Sequence, residues 1–390
     1  MITRLEIKNF LSLRQVDFAP GPINVLIGPN GAGKTNVYKA LKLLKMIAEF
    51  GLKPALNQMN GSFMDICWKG SDVPVPVSFH VECQSPIYNS SISPPPGWPA
   101  EEFTYDLEIS GNLTSYQINH ERLSLGAGPG SILGETNAKG STVTLSGQTI
   151  QGAACLLENN LPTWKGEYFK QILRGFRFYE LNASSMKGGY QISPASCLNE
   201  KGDNLVSFLA SIRSHSPDQY QQIHQVMRDT FPWVSNLVEQ PMQNGIMTLA
   251  QHESSLRRSI TSQNMADGEL LFYALLALIL APVELGGSLA FIEEPEKHLH
   301  PRLMEVLMEI LRQRQQERLE SQGNLPQIFA TTHSPQFVNY CRLDEILIAE
   351  KKKGETIIRR ADAQNELKQH ISEMDSSLGE LWYSGAMGGV

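Results

Sequence analysis

Little in this sequence would staple it, anchor it or charge it in one direction. Its five cysteines, Cys67, Cys83, Cys155, Cys197 and Cys341, lie far apart with no C-x-x-C pair. That spacing argues against a disulfide scaffold or zinc ribbon and for reduced thiols. The longest apolar run, LLFYALLALILAPV from Leu270, falls short of the roughly 20 residues that span a bilayer and reads as a buried helix. The opening MITRLEIKNF alternates charged with apolar residues and lacks the continuous apolar region of a secretory leader. Positive charge is not in excess either. The formal net charge is −7, so the global footprint of a nucleic-acid binder is missing, although local basic stripes stay open. No heptad is sustained long enough for a coiled-coil arm, and no internal repeat is visible. The expectation is a cytoplasmic globular protein of one or two domains.

The first feature that carries chemistry is a glycine-rich loop. INVLIG is apolar throughout, as a strand buried on both faces should be. It runs into Gly28-Pro-Asn30-Gly31-Ala32-Gly33-Lys34-Thr35, which fits G-x-x-x-x-G-K-[ST]. After it, Val37, Leu41, Leu44 and Ile47 recur at helical spacing from Thr35 to about Phe50. Such a loop turns consecutive backbone N–H groups toward phosphate oxygens and feeds a helix amino terminus, whose partial positive charge favours an anion. Lys34 is expected to reach the β/γ-phosphates of ATP, with the Thr35 hydroxyl on a Mg²⁺ ion.

A nucleotide loop of this kind needs carboxylates. SLAFIEEPEKHLHP ends an apolar strand in Glu293-Glu294, where side chains of an open α/β sheet enter the ligand crevice. Glu293 is expected to orient Mg²⁺, directly or through water, and Glu294 to polarise the attacking water. QIFATTHSPQF then places His333 after another apolar run, within expected reach of the γ-phosphate and the general base.

Around these motifs the chain divides into four expected segments. Residues 1–74 form the N-terminal part of an α/β core. Residues 75–200 form a β-rich layer, seen in VPVSFHVECQ, EFTYDLEIS and SYQINHERLSL, with the loop SPIYNSSISPPPGWP between them. Residues 201–250 form a helical insertion, from about Asn204 to Arg228, interrupted by SHSPDQ. Residues 251–390 return to alternating helix and strand, from a helix near Gly268–Leu280 onward, and are expected to share a parallel sheet with the first segment.

With these stretches side by side, the sequence resembles the ABC-type ATPase heads of the SMC/RecF-like class. More narrowly, it is similar to AAA-family ATPases related to the overcoming-lysogenisation-defect (OLD) nucleases. ITRLEIKNFLSLRQVDF, NVLIGPNGAGKTN, NMADGELLFYALLALIL, FIEEPEKHLHP and ATTHSP carry the resemblance, and the closing LGELWYSGAMGG fits small ATPases of this group. It implies a P-loop NTPase fold of ABC-type head, with an antiparallel β layer and a helical insertion. It implies a Walker A at Gly28–Thr35 followed by Asn36, a Walker B at Phe291–Glu294, a D-loop around Pro295–His298 and a switch histidine at His333. It further implies that Met265, Ala266, Asp267, Gly268 and Glu269 form the ABC signature, which in such families meets the γ-phosphate of ATP held by a second protomer. Nucleotide-binding positions are thus Asn30, Gly31, Ala32, Gly33, Lys34, Thr35 and Asn36 in one copy, and Ala266–Glu269 from the other.

Three positions depart from that pattern. Ala266 stands where a serine is usual, Glu293 where an aspartate is usual, and Leu11 where many relatives carry arginine. Gln58 and Gln84 are both candidates for the Q-loop glutamine. His298, His300 and Glu296 read as D-loop contacts rather than a transition-metal site. EKKKG at Glu350–Gly354 reads as a solvated turn, and RQRQQER as an exposed polar helix face.

About 57 residues follow His333, few for an appended nuclease domain. The expected partners are a second copy, or more, clasped around ATP, and a separately encoded effector of an antiphage system. Direct DNA binding, as in a repair or chromosome-maintenance ATPase, is the alternative. A transporter subunit fits the middle of the chain poorly, and no membrane contact is expected.

Overall fold

The structure is a computed structural model. It describes residues 1–59, 62–84, 102–126, 132–136, 142–145, 148–151, 155–159, 164–191, 193–242, 246–321, 326–363, 377–385 and 387. The loop SPIYNSSISPPPGWP lies outside them.

The hairpin β1 (Ile2–Phe10) and β2 (Leu13–Phe18) opens the chain, followed by β3 (Ile23–Ile27) and the helix Lys34–Phe50. Next come β4 (Val77–Gln84), β5 (Glu102–Gly111), β6 (Tyr116–Leu125), β7 (Ile132–Thr136), β8 (Thr142–Leu145) and β9 (Gln148–Gln151). With β1 and β2 they make an eight-stranded antiparallel sheet, ordered β2-β1-β4-β5-β6-β7-β8-β9. After the helix Gly166–Arg174, β10 (Phe176–Tyr179) crosses to a second sheet. A small third sheet holds β11 (Tyr190–Gln191), β12 (Val234–Pro241), β13 (Ile246–Glu253) and β14 (Ile260–Thr261), interspersed with the helices Leu205–His215 and Pro217–Thr230. The helix Asp267–Leu280 leads to β15 (Leu289–Glu293), the helix Pro301–Ser321, β16 (Gln327–Thr331) and the hairpin β17 (Ile346–Lys352) and β18 (Glu355–Arg360).

The second sheet, ordered β10-β15-β16-β3-β17-β18, carries the chemistry. It is parallel from β10 to β17, and only the terminal hairpin is antiparallel. β3, from the start of the chain, sits between two strands from its end. Its residues sort by the two-residue period of a strand. Leu26, Phe291 and Phe329 face a core shared with the antiparallel sheet and the helix Lys34–Phe50. Val25, Ile27, Ala290 and Ile292 face a second core under the helices Asp267–Leu280 and Pro301–Ser321. Burial on both faces, at about 1.5–3 kcal/mol for each large aliphatic or aromatic side chain, is why these strands read as unbroken apolar runs. The helix Asp267–Leu280 is buried from Leu270 onward, which accounts for the longest apolar run in the sequence. Among the described residues no helix is long and apolar enough to cross a membrane.

Because β3, β15 and β16 run the same way, their carboxyl ends meet at one edge. The glycine loop, Glu293-Glu294 and His333 each begin where one of these strands stops.

The expected segments do not coincide with the sheets. β1 and β2, in the first expected segment, pair with β4 in the antiparallel sheet. β10, in the expected β-rich layer, pairs with β15 of the parallel sheet. The 201–250 segment is not only helical: after Pro217–Thr230 it turns into β12 and β13. The helix Gly166–Arg174 has no counterpart in the sequence reading. The RQRQQER face is not simply exposed. Arg312 grips Glu345 at 2.7 and 2.8 Å, and the buried Gln315 donates to Pro326 O at 3.0 Å. Positions 312 and 315 share the inward face of the long helix, and past the apolar core that face meets loop carbonyls and a carboxylate. EKKKG is the β17–β18 turn, with Lys353 and Gly354 at φ 51° and 86°.

Candidate functional site

The loop after β3 is shaped by its neighbours. Gly28 has φ 148°, and a Cβ there would lie 2.2 Å from the Ala349 carbonyl oxygen on β17. Gly33 has φ 105°, and its Cβ would lie 2.0 Å from Thr356 Oγ1. Neither position admits another residue without moving a strand. Asn30 and Gly31 are exposed at the tip, while the side chain of Ala32 is buried. The helix Lys34–Phe50 has no side-chain cap and no acidic residue in its first turn, so its positive end is left for an anion.

A polar network fastens this loop to both sheets. The Thr356 hydroxyl donates to Ala32 O at 2.8 Å and lies 2.6 Å from Ser12 Oγ. Asn36 Nδ2 donates to Ser12 Oγ at 2.6 Å, and the Thr356 backbone N–H donates to Ser12 O at 2.7 Å. Ser12 sits in the β1–β2 turn beside Leu11, which is held at φ 52°. Neither Ser12 nor Thr356 stands out in the sequence, because their partners are more than twenty residues away. Gln84 lies at the other end of β1, paired with Met1. That is roughly 30 Å along the strand from Ser12, so it does not serve the loop. Gln58 is exposed at the end of the helix Leu52–Gln58.

Lys34 is buried and donates from Nζ to Gly28 O at 2.6 Å and Pro29 O at 3.2 Å. Its Nζ is also 3.5 Å from His333 Nδ1. Burial pushes the lysine down to about 8, against a smaller opposing pull from Glu294. His333 Nε2 in turn is 3.8 Å from Glu294 Oε1. Burial and the nearby Lys34 hold the imidazole below its ordinary value, so at neutral pH it is an uncharged donor-acceptor. Glu294 has φ 46°, and its N–H donates to Thr331 O at 3.0 Å. That backbone turn aims its carboxylate at His333 rather than along the strand. Lysine, imidazole and carboxylate are thus brought together at the loop from three motifs separated by up to 299 residues.

Glu293, the last residue of β15, is half-buried. Burial, with Glu180, Glu294 and Glu200 close by, raises its carboxyl above the ordinary range. Glu200 accepts from the Tyr38 hydroxyl at 2.7 Å and from Lys42 Nζ at 2.9 Å. Carboxylates thus crowd Glu293 at this edge, with Lys42 opposing them. Among the described residues no three His, Cys, Asp or Glu side chains come close enough to hold a metal by themselves. Mg²⁺ does not need such a cage, since it binds through one or two protein oxygens, phosphates and water. The exposed Thr35 hydroxyl at the helix start and the charge-poor Glu293 fit that role. His298 and His300 do not gather around Glu296. Glu296 instead accepts from the Thr332 hydroxyl at 2.5 Å, and His300 Nδ1 accepts from the Arg302 N–H at 3.3 Å.

The expected signature caps the helix Asp267–Leu280, with Ala266 exposed in extended conformation at its N-cap. Asp267 pairs with Lys187 at 2.6 Å, and Glu269 accepts from Trp233 Nε1 at 3.0 Å. A Cβ on Gly268 would lie 2.7 Å from His298 O, so the helix start packs tightly on the backbone of the expected D-loop. These contacts differ from those of Lys34, and the Ala266 face points to solvent.

Comparisons with known proteins bear on the fold. A family model described as "AAA domain, putative AbiEii toxin, Type IV TA system" matches residues 168–339, and an "AAA ATPase domain" model matches residues 1–67. An OLD nuclease of Thermus scotoductus is 46% identical over 44 residues, which is 11% of this chain and 8% of that protein. The chain therefore matches only a small part of that relative's length. An SMC head bound to the C-terminal winged-helix domain of ScpA superposes with TM-score 0.54 at 12% identity, covering 92% of this chain and 97% of that one. A Pyrococcus furiosus SMC head bound to the C-terminal domain of ScpA does so with TM-score 0.51 at 11% identity, covering 95% and 99%. The fold is that of an ABC-type P-loop ATPase head.

The chain thus joins AAA-domain matches over residues 1–67 and 168–339 to the fold of an SMC-type ATPase head. In this ATPase the sequence reading missed Ser12, Thr356, Thr332 and Glu200. Only the repeated threonine in ATTHSP hints at any of them, and the hint needs the D-loop contact to acquire meaning.

Proposed function

We propose that this ATPase binds and hydrolyses Mg·ATP between two copies of the chain, and that closure of the pair controls a separately encoded effector in antiphage defence. The observation that carries the reading is the line Lys34–His333–Glu294 at the mouth of the glycine loop. Backbone N–H groups of Asn30–Thr35 and the Lys34 ammonium bind and orient the phosphates. Thr35 and Glu293 would hold Mg²⁺, which would supply neutralisation of the phosphate charge. Glu294 takes the proton of the attacking water, and His333 holds that carboxylate and the terminal phosphate in register. Ala266 is exposed at the start of its helix, with Asp267, Gly268 and Glu269 half-buried beside it, which supports use by a second copy. With alanine at 266, backbone N–H groups at the helix start do the work that a serine hydroxyl shares elsewhere.

An effector partner is supported by the SMC heads, which are described as bound to ScpA, and by a family description that names a toxin system. Direct DNA binding has less support, since the chain is net acidic and its EKKKG turn is partly neutralised by Glu350. Two variants test the reading. Lys34→Ala is expected to abolish ATP binding. Glu294→Gln is expected to bind ATP normally, to lose at least about 100-fold in turnover, and to accumulate as a closed dimer on size-exclusion chromatography with light scattering. Parent-like turnover in Glu294→Gln removes the catalytic assignment.

A further inference from the structure

Glu296 is buried three residues beyond the end of β15, in the middle of the expected D-loop. Its Oε1 accepts two donors from the switch segment after β16, the Thr332 hydroxyl at 2.5 Å and the His333 backbone N–H at 3.4 Å. Its Oε2 is also buried and accepts nothing from the described residues. A carboxyl group buried with one idle oxygen is costly, and such groups are retained where something other than stability depends on them. The same turn is closed by its own backbone. The Lys297 N–H donates to Glu294 O at 3.0 Å, the Leu299 N–H donates to Glu296 O at 2.9 Å, and His298 is held at φ 62°. The turn's far side presses the His298 carbonyl against Gly268. One short segment therefore touches the signature helix with its backbone and the switch histidine with a side chain.

We propose that Glu296 is a positioning residue that transmits the placement of the signature helix to His333, and so sets the His333–Glu294 pair for hydrolysis. This rests on the ATPase reading above and adds a route by which a second copy, docking at the signature, acts on the first copy's own switch. Glu296 acts through its neighbours, being buried against Thr332 and the His333 backbone. Its leverage lies in fixing the backbone from which the imidazole projects, where a misplacement of about 1 Å costs on the order of 100-fold.

The test compares Glu296→Ala, Glu296→Gln and Thr332→Val with the parent in steady-state ATPase assays and in binding of a fluorescent ATP analogue, both with Mg²⁺. Glu296→Ala is expected to lose at least about tenfold in kcat with the nucleotide Kd within about threefold. Glu296→Gln keeps a carbonyl acceptor for both donors and should recover most of the loss. Thr332→Val, which removes one donor at nearly constant volume, should fall between them. A Glu296→Ala kcat within twofold of the parent overturns the proposal, as does loss of nucleotide binding in step with kcat. So does a Glu296→Gln as impaired as Glu296→Ala. If the alanine variant does not fold, the glutamine and Thr332→Val variants decide. Glu294→Gln run alongside separates the two levels. Parent-like turnover there sinks the site reading together with this one, whereas normal loss there with parent-like Glu296→Ala sinks only the role of Glu296.

Discussion

The buried ammonium of Lys34 makes ATP affinity depend on pH in a way that can be worked out in advance. In the free protein its partners are two carbonyls and a neutral imidazole, and burial brings its pKa to about 8. A bound triphosphate favours the charged form and keeps it protonated well above that pH. Linkage then multiplies the affinity by the fraction of free protein that still carries the proton, a loss of about 1.1-fold at pH 7, about twofold at pH 8 and about 11-fold at pH 9. The expected loss from pH 7 to 9 is roughly tenfold, about 1.4 kcal/mol, with about half a proton taken up per site at pH 8. Isothermal titration calorimetry with saturating Mg²⁺, in buffers of different ionisation enthalpy, measures both quantities. Lys34→Arg keeps its charge throughout this range and should flatten the profile even if it binds more weakly. The same group acts on stability with a definite sign. Its folded pKa lies below its unfolded one, so the fold disfavours the charged form. That cost is complete below about pH 8 and fades as pH rises toward the ordinary lysine value. The full gap corresponds to about 3 kcal/mol, which solvent reach cuts to ~2. Lys34→Met is therefore expected to unfold at higher urea than the parent at pH 7, in the absence of nucleotide. An affinity that stays level from pH 7 to 9 in the parent, or an unchanged slope in Lys34→Arg, would refute the placement of Lys34 on the phosphates.

Two further outcomes follow from packing. Gly28→Ala puts a methyl group against the Ala349 carbonyl at 2.2 Å in a backbone conformation that L residues avoid. It should cost about 2–4 kcal/mol and remove ATP binding; a variant with the parent's urea midpoint and nucleotide affinity contradicts the loop geometry. His224, buried against Tyr220 and bonded to the Tyr273 hydroxyl at 2.7 Å, is pushed down to about 4 by burial and, less, by Arg228 and Arg213. Its folded pKa lies below the unfolded value, so its contribution is complete above about pH 6.5 and is lost as pH falls toward 4, by about 3 kcal/mol. Urea midpoints at pH 7 and pH 4.5 should converge between the parent and His224→Gln as the pH falls. A constant difference removes His224 from the acid response.

The glycine loop, the paired glutamates after SLAFI and the histidine after QIFAT were legible as separate chemical signals because each is local. A loop must have glycine where φ is positive, a strand buried on both faces must be apolar, and side chains at its carboxyl end are free to be polar. Segment boundaries were less legible. β1 and β2 alternate like any half-buried hairpin, and nothing within them says that their partner is β4 rather than β3. β12 and β13 carry ordinary residues whose strand character depends on each other, since strand propensity is mostly a property of the packed surface. The inward turn of Arg312 likewise depends on Glu345, which lies on another element.

By itself, then, the amino-acid order determined the glycine loop, the strand-end glutamates and the histidine after β16, because short-range geometry and residue chemistry are written in consecutive positions. Only the tertiary structure decided that β3 is inserted between β16 and β17. The same packing brings Lys34 to 3.5 Å from His333, joins Ser12 to Thr356 under the loop, and leaves one oxygen of Glu296 buried and idle. These are pairings between residues tens to hundreds of positions apart. They are selected by how two cores close on the faces of one sheet, and no local window of sequence contains that information.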